Sequence, residues 1–116
     1  MHEPESLRDV VTEALDELKG FDVKVLDVRN LTTVADFMVV ASGTSGRHVR
    51  ALARNVVERA SARGHAPLGV EGDRDGEWVL VDLADVVVHV MLPRVRDFYQ
   101  LERLWTVPPR TGSAVG

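Results

Sequence analysis

Apolar residues first recur at helical spacing: Leu7, Val10, Val11, Ala14, Leu15 and Leu18 fall on one face, with Ser6 placed as the N-cap and Gly20 as the stop. Residues 22–28 (DVKVLDV) then alternate as a short strand, with Val23, Val25 and Asp27 on one face and Lys24, Leu26 and Val28 on the other. Residues 37–41 (FMVVA) form a more apolar strand, and the small polar loop from Ser42 to Gly46 leads into a second helix. That helix carries Val49, Leu52, Ala53, Val56, Val57 and Ala60 as one stripe and ends at Gly64. After an irregular segment rich in Gly and Pro (HAPLGVEGDRDG), the runs EWVLVDL and VVVHVM predict an antiparallel hairpin turning at Ala84-Asp85, which is not an ideal turn pair. Pro93 opens a last helix with Val95, Phe98, Leu101, Leu104 and Trp105, and Pro108-Pro109 close it.

The order helix, strand, strand, helix, hairpin, helix predicts an α/β domain with a mixed sheet of four or five strands and packed helices. The passage from Phe37 to Trp78 suits a parallel crossover, whereas the hairpin must be antiparallel. One domain over residues 1–107 accounts for the pattern, and the remainder to residue 116 is expected to be a disordered tail.

Composition adds limits. At 45% hydrophobic residues, the 116-residue chain has the makings of one ordinary core. The absence of Cys removes disulfides, zinc–thiolate sites and thiol nucleophiles. No signal-peptide pattern opens the chain and no apolar run approaches a membrane span, so a cytoplasmic protein is expected. The net charge of −4 argues against coating free nucleic acid. Charge is also segregated: Arg47, Arg50, Arg54, Arg59 and Arg63 stand against Glu58, while Glu71, Asp73, Asp75, Glu77, Asp82 and Asp85 stand against Arg74. The two segments either pair with each other or leave the acidic one for a basic partner.

The loop Ser42-Gly43-Thr44-Ser45-Gly46 invites comparison with a phosphate cradle, because backbone donors at a helix start attract anions. It lacks both the G-x-x-x-x-G-K-[ST] and the G-x-G-x-x-G spacing, and the local alternative is Ser45 as an N-cap beside a turning glycine. His48, His65 and His89 are scattered, and Asp36 is followed by Phe37 and Met38, without the alternating acids that metal-dependent nucleotide transfer uses. No catalytic, cofactor or metal residue is assigned, and the chain is not expected to be an enzyme.

The hairpin is more informative. Alternation gathers Val79, Val81, Leu83, Val86, Val88 and Val90 toward the core and leaves Trp78, Leu80, Asp82, Val87, His89 and Met91 on a second face. Either another helix covers that face and His89 is a satisfied buried histidine, or the face is an interface built on Trp and Met anchors.

The stretches ASGTSGRHV, PLGVEG, EWVLVDLADVVVHVM and RDFYQLERLW, in that order, resemble the Iojap family of ribosomal silencing factors over nearly the whole chain. The resemblance implies a nucleotidyltransferase-like core without catalytic acids. It implies binding to the free large ribosomal subunit through that subunit's protein numbered fourteen, which blocks joining of the small subunit and represses translation. It also implies a homodimer off the ribosome. Carried onto this chain, the partner-facing positions are Trp78, Leu80, His89 and Met91, with Asp82 as an acidic contribution, and Glu71 and Asp73 are expected to form an acidic rim.

Overall fold

The computed structural model describes residues 4–99, and side-chain surroundings from residue 7 to residue 97. The expected positions Leu101, Leu104 and Trp105, the Pro108-Pro109 stop and the tail lie outside the described residues.

Helix α1 spans Pro4–Glu17. It begins at the proline, whose fixed φ suits a first helical turn, so Ser6 lies inside the helix and is not its N-cap. Leu7, Val10, Val11, Ala14 and Leu15 are buried, but Leu18 falls beyond the last turn and is exposed. The helix ends in a Schellman arrangement in which Lys19 N–H donates to Asp16 O at 3.0 Å and Gly20 N–H to Leu15 O at 2.8 Å. The residue with positive φ is therefore Lys19, at 66°, one position before the glycine. Gly20 answers a different need: a Cβ there would stand 3.2 Å from Leu52 Cδ2, at the contact with the second helix.

Five strands follow as β1 (Phe21–Asp27), β2 (Phe37–Ser42), β3 (Gly69–Glu71), β4 (Trp78–Asp82) and β5 (Val86–Met91). Helix α2 (Gly46–Ala62) lies between β2 and β3, and α3 (Pro93–Tyr99) follows β5. The sheet order is β1-β2-β5-β4-β3. β2 pairs with β5 in parallel, and the pairs β1/β2, β3/β4 and β4/β5 are antiparallel. This corrects the expected crossover. The parallel passage out of β2 runs through α2 to β3 at the far edge, inside the segment read as irregular, and the chain then meanders back through β4 to β5. Three residues that include Gly69 and precede Gly72 carry too little alternation to announce a strand.

The α1 and α2 side holds the larger core, where Leu15, Leu52 and Val56 meet Val39, Ala41, Val79, Val81, Val88 and Val90. Asn55 Nδ2 ties the two helices by donating to Ala14 O at 2.8 Å, and Arg59 pairs with Glu17 beside it. The opposite side holds a smaller cluster of Leu26, Val28, Met38, Val40 and Met91, against which Trp78 and Val95 pack. β2 contributes to both, which is why all six of its residues are buried.

Candidate partner-binding face

Register converts the second face of the sheet into rows. One row runs Leu26, Met38, Val87, Asp82 and Gly69 across the five strands, and the next runs Lys24, Val40, His89, Leu80 and Glu71. Ser42, Met91 and Trp78 make a third. α3 starts at the end of β5, and its Val95 packs on the cluster that contains Met91. The first alternative holds in part: Leu26, Met38, Val40, His89 and Met91 are buried, while Trp78, Leu80, Asp82 and Val87 remain partly open.

The buried members support the open ones. Trp78 Nε1–H donates to His89 Nδ1 at 3.0 Å across a diagonal of the hairpin, with the ring planes tilted by 51°. His89 is 6% exposed, so it is a floor for the Trp78 indole and not a surface residue. Burial pushes its pKa down to about 4, and accepting from the indole requires Nδ1 to be unprotonated. Met91 is fully buried, which corrects its expected place on the surface: it belongs to the apolar cluster with Met38 and Val40 against which Val95 of α3 packs.

The acidic positions fall on different sides of the sheet. Glu71 pairs with Leu80 in register and opens on the same face, where Glu71, Gly72, Trp78 and Leu80 line a shallow depression of about 250 Å³. Asp73 instead lines a groove of about 280 Å³ on the α2 side with Arg50, Arg54, Val57 and Val70. Glu71 thus shares the side of Trp78, whereas Asp73 lies on the α2 side. Gly72 makes the turn between them possible, because it sits at φ 84° and any Cβ would collide with the Trp78 carbonyl oxygen.

Internal pairing does not absorb the segregated charge. Arg50 Nη1 reaches only the carbonyl oxygen of Asp75, at 3.4 Å, and Glu77 pairs with Arg94 of α3 at 3.2 Å. Glu71, Asp82 and Asp85 make no ion pair among the described residues.

The glycine loop resolves as a corner. Ser45 caps α2, its Oγ accepting from His48 N at 3.1 Å. His48 reaches back so that Nδ1 accepts from Thr44 N at 2.9 Å, which leaves Nε2–H to donate to Leu18 O at 2.7 Å. Gly43 N–H is also engaged, by Met91 O at 3.0 Å, so two backbone donors of the loop and one of the first turn of α2 are satisfied internally. Gly43 admits α2 to the sheet, since a Cβ would stand 2.9 Å from Val49 Cγ2. Among the described residues no group of three His, Asp or Glu side chains is placed to hold a metal ion, and no helix is long and apolar enough to cross a membrane.

A family model described as a ribosomal silencing factor during starvation matches residues 1–114. The chain belongs to this family of ribosomal silencing factors. It is 48% identical over 103 residues to the ribosomal silencing factor of Chromobacterium violaceum, covering 89% of this chain and 84% of that one. It is also 32% identical over 102 residues to the mouse mitochondrial assembly of ribosomal large subunit protein 1, covering 85% of this chain and 45% of the mouse protein. A crystal structure of a Chromobacterium violaceum protein shares the fold with a TM-score of 0.90 at 43% identity, over 97% of this chain and 94% of that one. The silencing-factor fold is thus the mixed five-stranded sheet described above.

Proposed function

We propose that this chain binds the free large ribosomal subunit through its protein numbered fourteen and sterically prevents the small subunit from joining. The observation that carries this reading is the open hairpin face, where Trp78 and Leu80 stand between the carboxylates of Glu71 and Asp82. A half-buried indole seated on a buried imidazole is a rigid apolar anchor, the kind of group that dominates interface energies. The unpaired acids around it suit a basic ribosomal protein, speeding and orienting the encounter more than tightening it. Membership of the silencing-factor family and the large-subunit relationship in the mouse relative's name point the same way. The act is exclusion without covalent chemistry, and its place is wherever ribosomes assemble, the cytoplasm of a bacterial cell.

The direct test mixes the chain with isolated large and small subunits and sediments the mixture. Fewer whole ribosomes and comigration with the large subunit are expected. Unchanged ribosome formation at saturating protein overturns the proposal.

A second surface favours self-association off the ribosome. β3 is an edge strand, with Leu68 73% exposed and Val70 37% exposed beside it. The groove next to it carries Arg50 and Arg54 together with Asp73, opposite charges that a two-fold axis would set against each other. Sedimentation equilibrium tests the dimer, and a Val70→Lys chain that associates as well as the parent removes this edge from the interface.

A further inference from the structure

A second opening lies on the same face as Trp78 but across the hairpin from it. Val28, Thr32, Val34, Ala35, Met38 and Val87 line a pocket of about 190 Å³ between the β1–β2 loop and β5. Thr32 Oγ1 is engaged by Val34 N–H at 3.1 Å, so five aliphatic or thioether side chains define the rest of the wall. The loop is shaped before any partner arrives: Val28 N–H donates to Asp36 O at 3.0 Å across its base, and Thr32 N–H to Val28 O at 3.0 Å inside it. Val34 is nevertheless 78% exposed at the rim.

The rim is acidic. Asp82 is the register partner of Val87. Asp36 N–H donates to Asp85 O at 2.8 Å, joining the start of β2 to the hairpin turn at the end of the pocket. None of Asp36, Asp82 and Asp85 makes an ion pair among the described residues.

We infer that this pocket receives one aliphatic or aromatic side chain from a basic protein segment, whose flanking Lys or Arg residues lie on Asp36, Asp82 and Asp85. The volume fits one such group, since an apolar cavity of about 150 Å³ takes up benzene. The inference rests on the proposed docking of a basic protein for the charge of its occupant, and it shares Val87 and Asp82 with that face. It adds a second anchor site two rows along the sheet from Trp78, so the partner would span Trp78 at one end and Val34 at the other.

Methyl-resolved NMR of the full chain, titrated with the peptides Lys-Lys-Leu-Lys-Lys and Lys-Lys-Gly-Lys-Lys, tests it. The leucine peptide is expected to shift the Met38 and Val87 methyls and to bind about tenfold more tightly than the glycine peptide. Ala35→Leu, which fills the pocket from within, should abolish the difference, and Val34→Ser at the exposed rim should reduce it without burdening the core. Equal responses to both peptides, or no response at Met38 and Val87, overturn the inference. Loss of the leucine effect together with large-subunit binding that Trp78→Ala weakens would remove the pocket and leave the proposed function standing. A leucine-specific response in a chain that ignores large subunits would do the reverse.

Discussion

Trp78 Nε1–H donates to His89 Nδ1 at 3.0 Å, and this bond exists only while His89 is neutral. Burial holds the folded-state pKa at about 4, below the usual value of 6.5. Between those values the unfolded chain binds a proton that the folded chain refuses, so stability is intact above pH 6.5 and falls as the pH drops toward 4. The loss reaches up to about 3 kcal/mol at about 1.4 kcal/mol per pH unit. Urea denaturation at pH 7 and pH 5 should resolve it, and in a His89→Leu chain the part of the pH dependence within this window should disappear. Indole fluorescence of the folded chain should change only around pH 4, where His89 takes up its proton and Nδ1 can no longer accept from the Trp78 N–H.

Trp78→Ala removes the anchor and leaves His89 without its donor. A loss of 2–4 kcal/mol in large-subunit binding, about 30- to 1000-fold, is expected of a central aromatic. Circular dichroism should show a retained sheet, since the larger core lies on the other face. Asp82→Asn should act differently, slowing association and flattening its salt dependence while dissociation changes little. Equal dissociation rates for the parent and Trp78→Ala chains would show that the hairpin is not the contact.

The helices, the two strong strands and the hairpin were legible in the sequence because their periodicities are long and unmixed, and alternation correctly put Trp78 and Val87 on the face away from Val79 and Val81. β3 was not legible: three residues that begin with a glycine and are followed by another show no period, and the strand exists because β4 offers an edge to pair with. The same missing strand misassigned the parallel partner of β2. Burial of Met91 was hidden for another reason, because alternation gives a face but not what covers it, and α3 covers this one. Ser42-Gly46 was read as two alternatives, and His48 decided between them through a bond to Leu18 O, 30 residues away in sequence, that no local pattern reveals.

Gly72 and Gly69 separate backbone necessity from mere occurrence in the motif PLGVEG. Gly69 has no atom within 4 Å of a built Cβ and no positive φ, so Gly69→Ala should be neutral or stabilising by a few tenths of a kcal/mol, about the gain from a less flexible unfolded chain. Gly72→Ala cannot be accommodated without moving Trp78, and a loss of about 2 kcal/mol or more is expected together with weakened large-subunit binding. Thermal denaturation of both variants decides the matter. A Gly72→Ala chain with parental stability and binding would mean that the turn does not hold the indole in place.

Three described residues with side chains occupy left-handed backbone where glycine would be at ease: Lys19 at φ 66° in the close of α1, Asp22 at φ 50° near the start of β1, and Ala84 at φ 72° in the hairpin turn. At Ala84 the strain is local, because Asp85 N–H donates to Leu83 O at 2.9 Å across it while Ala84 N–H is held by Asp82 Oδ1 at 2.9 Å. The turn is thereby fixed by the same Asp82 that borders the proposed docking face. Lys19→Gly and Ala84→Gly should each stabilise the chain by about 0.5–1 kcal/mol, the left-handed penalty less the extra entropy that glycine brings to the unfolded state. For a domain of this size that is a rise of a few degrees in Tm, about 2–6 °C. The pair should add, since they lie at opposite ends of different elements. A lower Tm in Ala84→Gly would show that the Cβ contributes more by ordering the turn than it costs in strain, and large-subunit binding should then fall with it, because Asp82 would lose its fixed position.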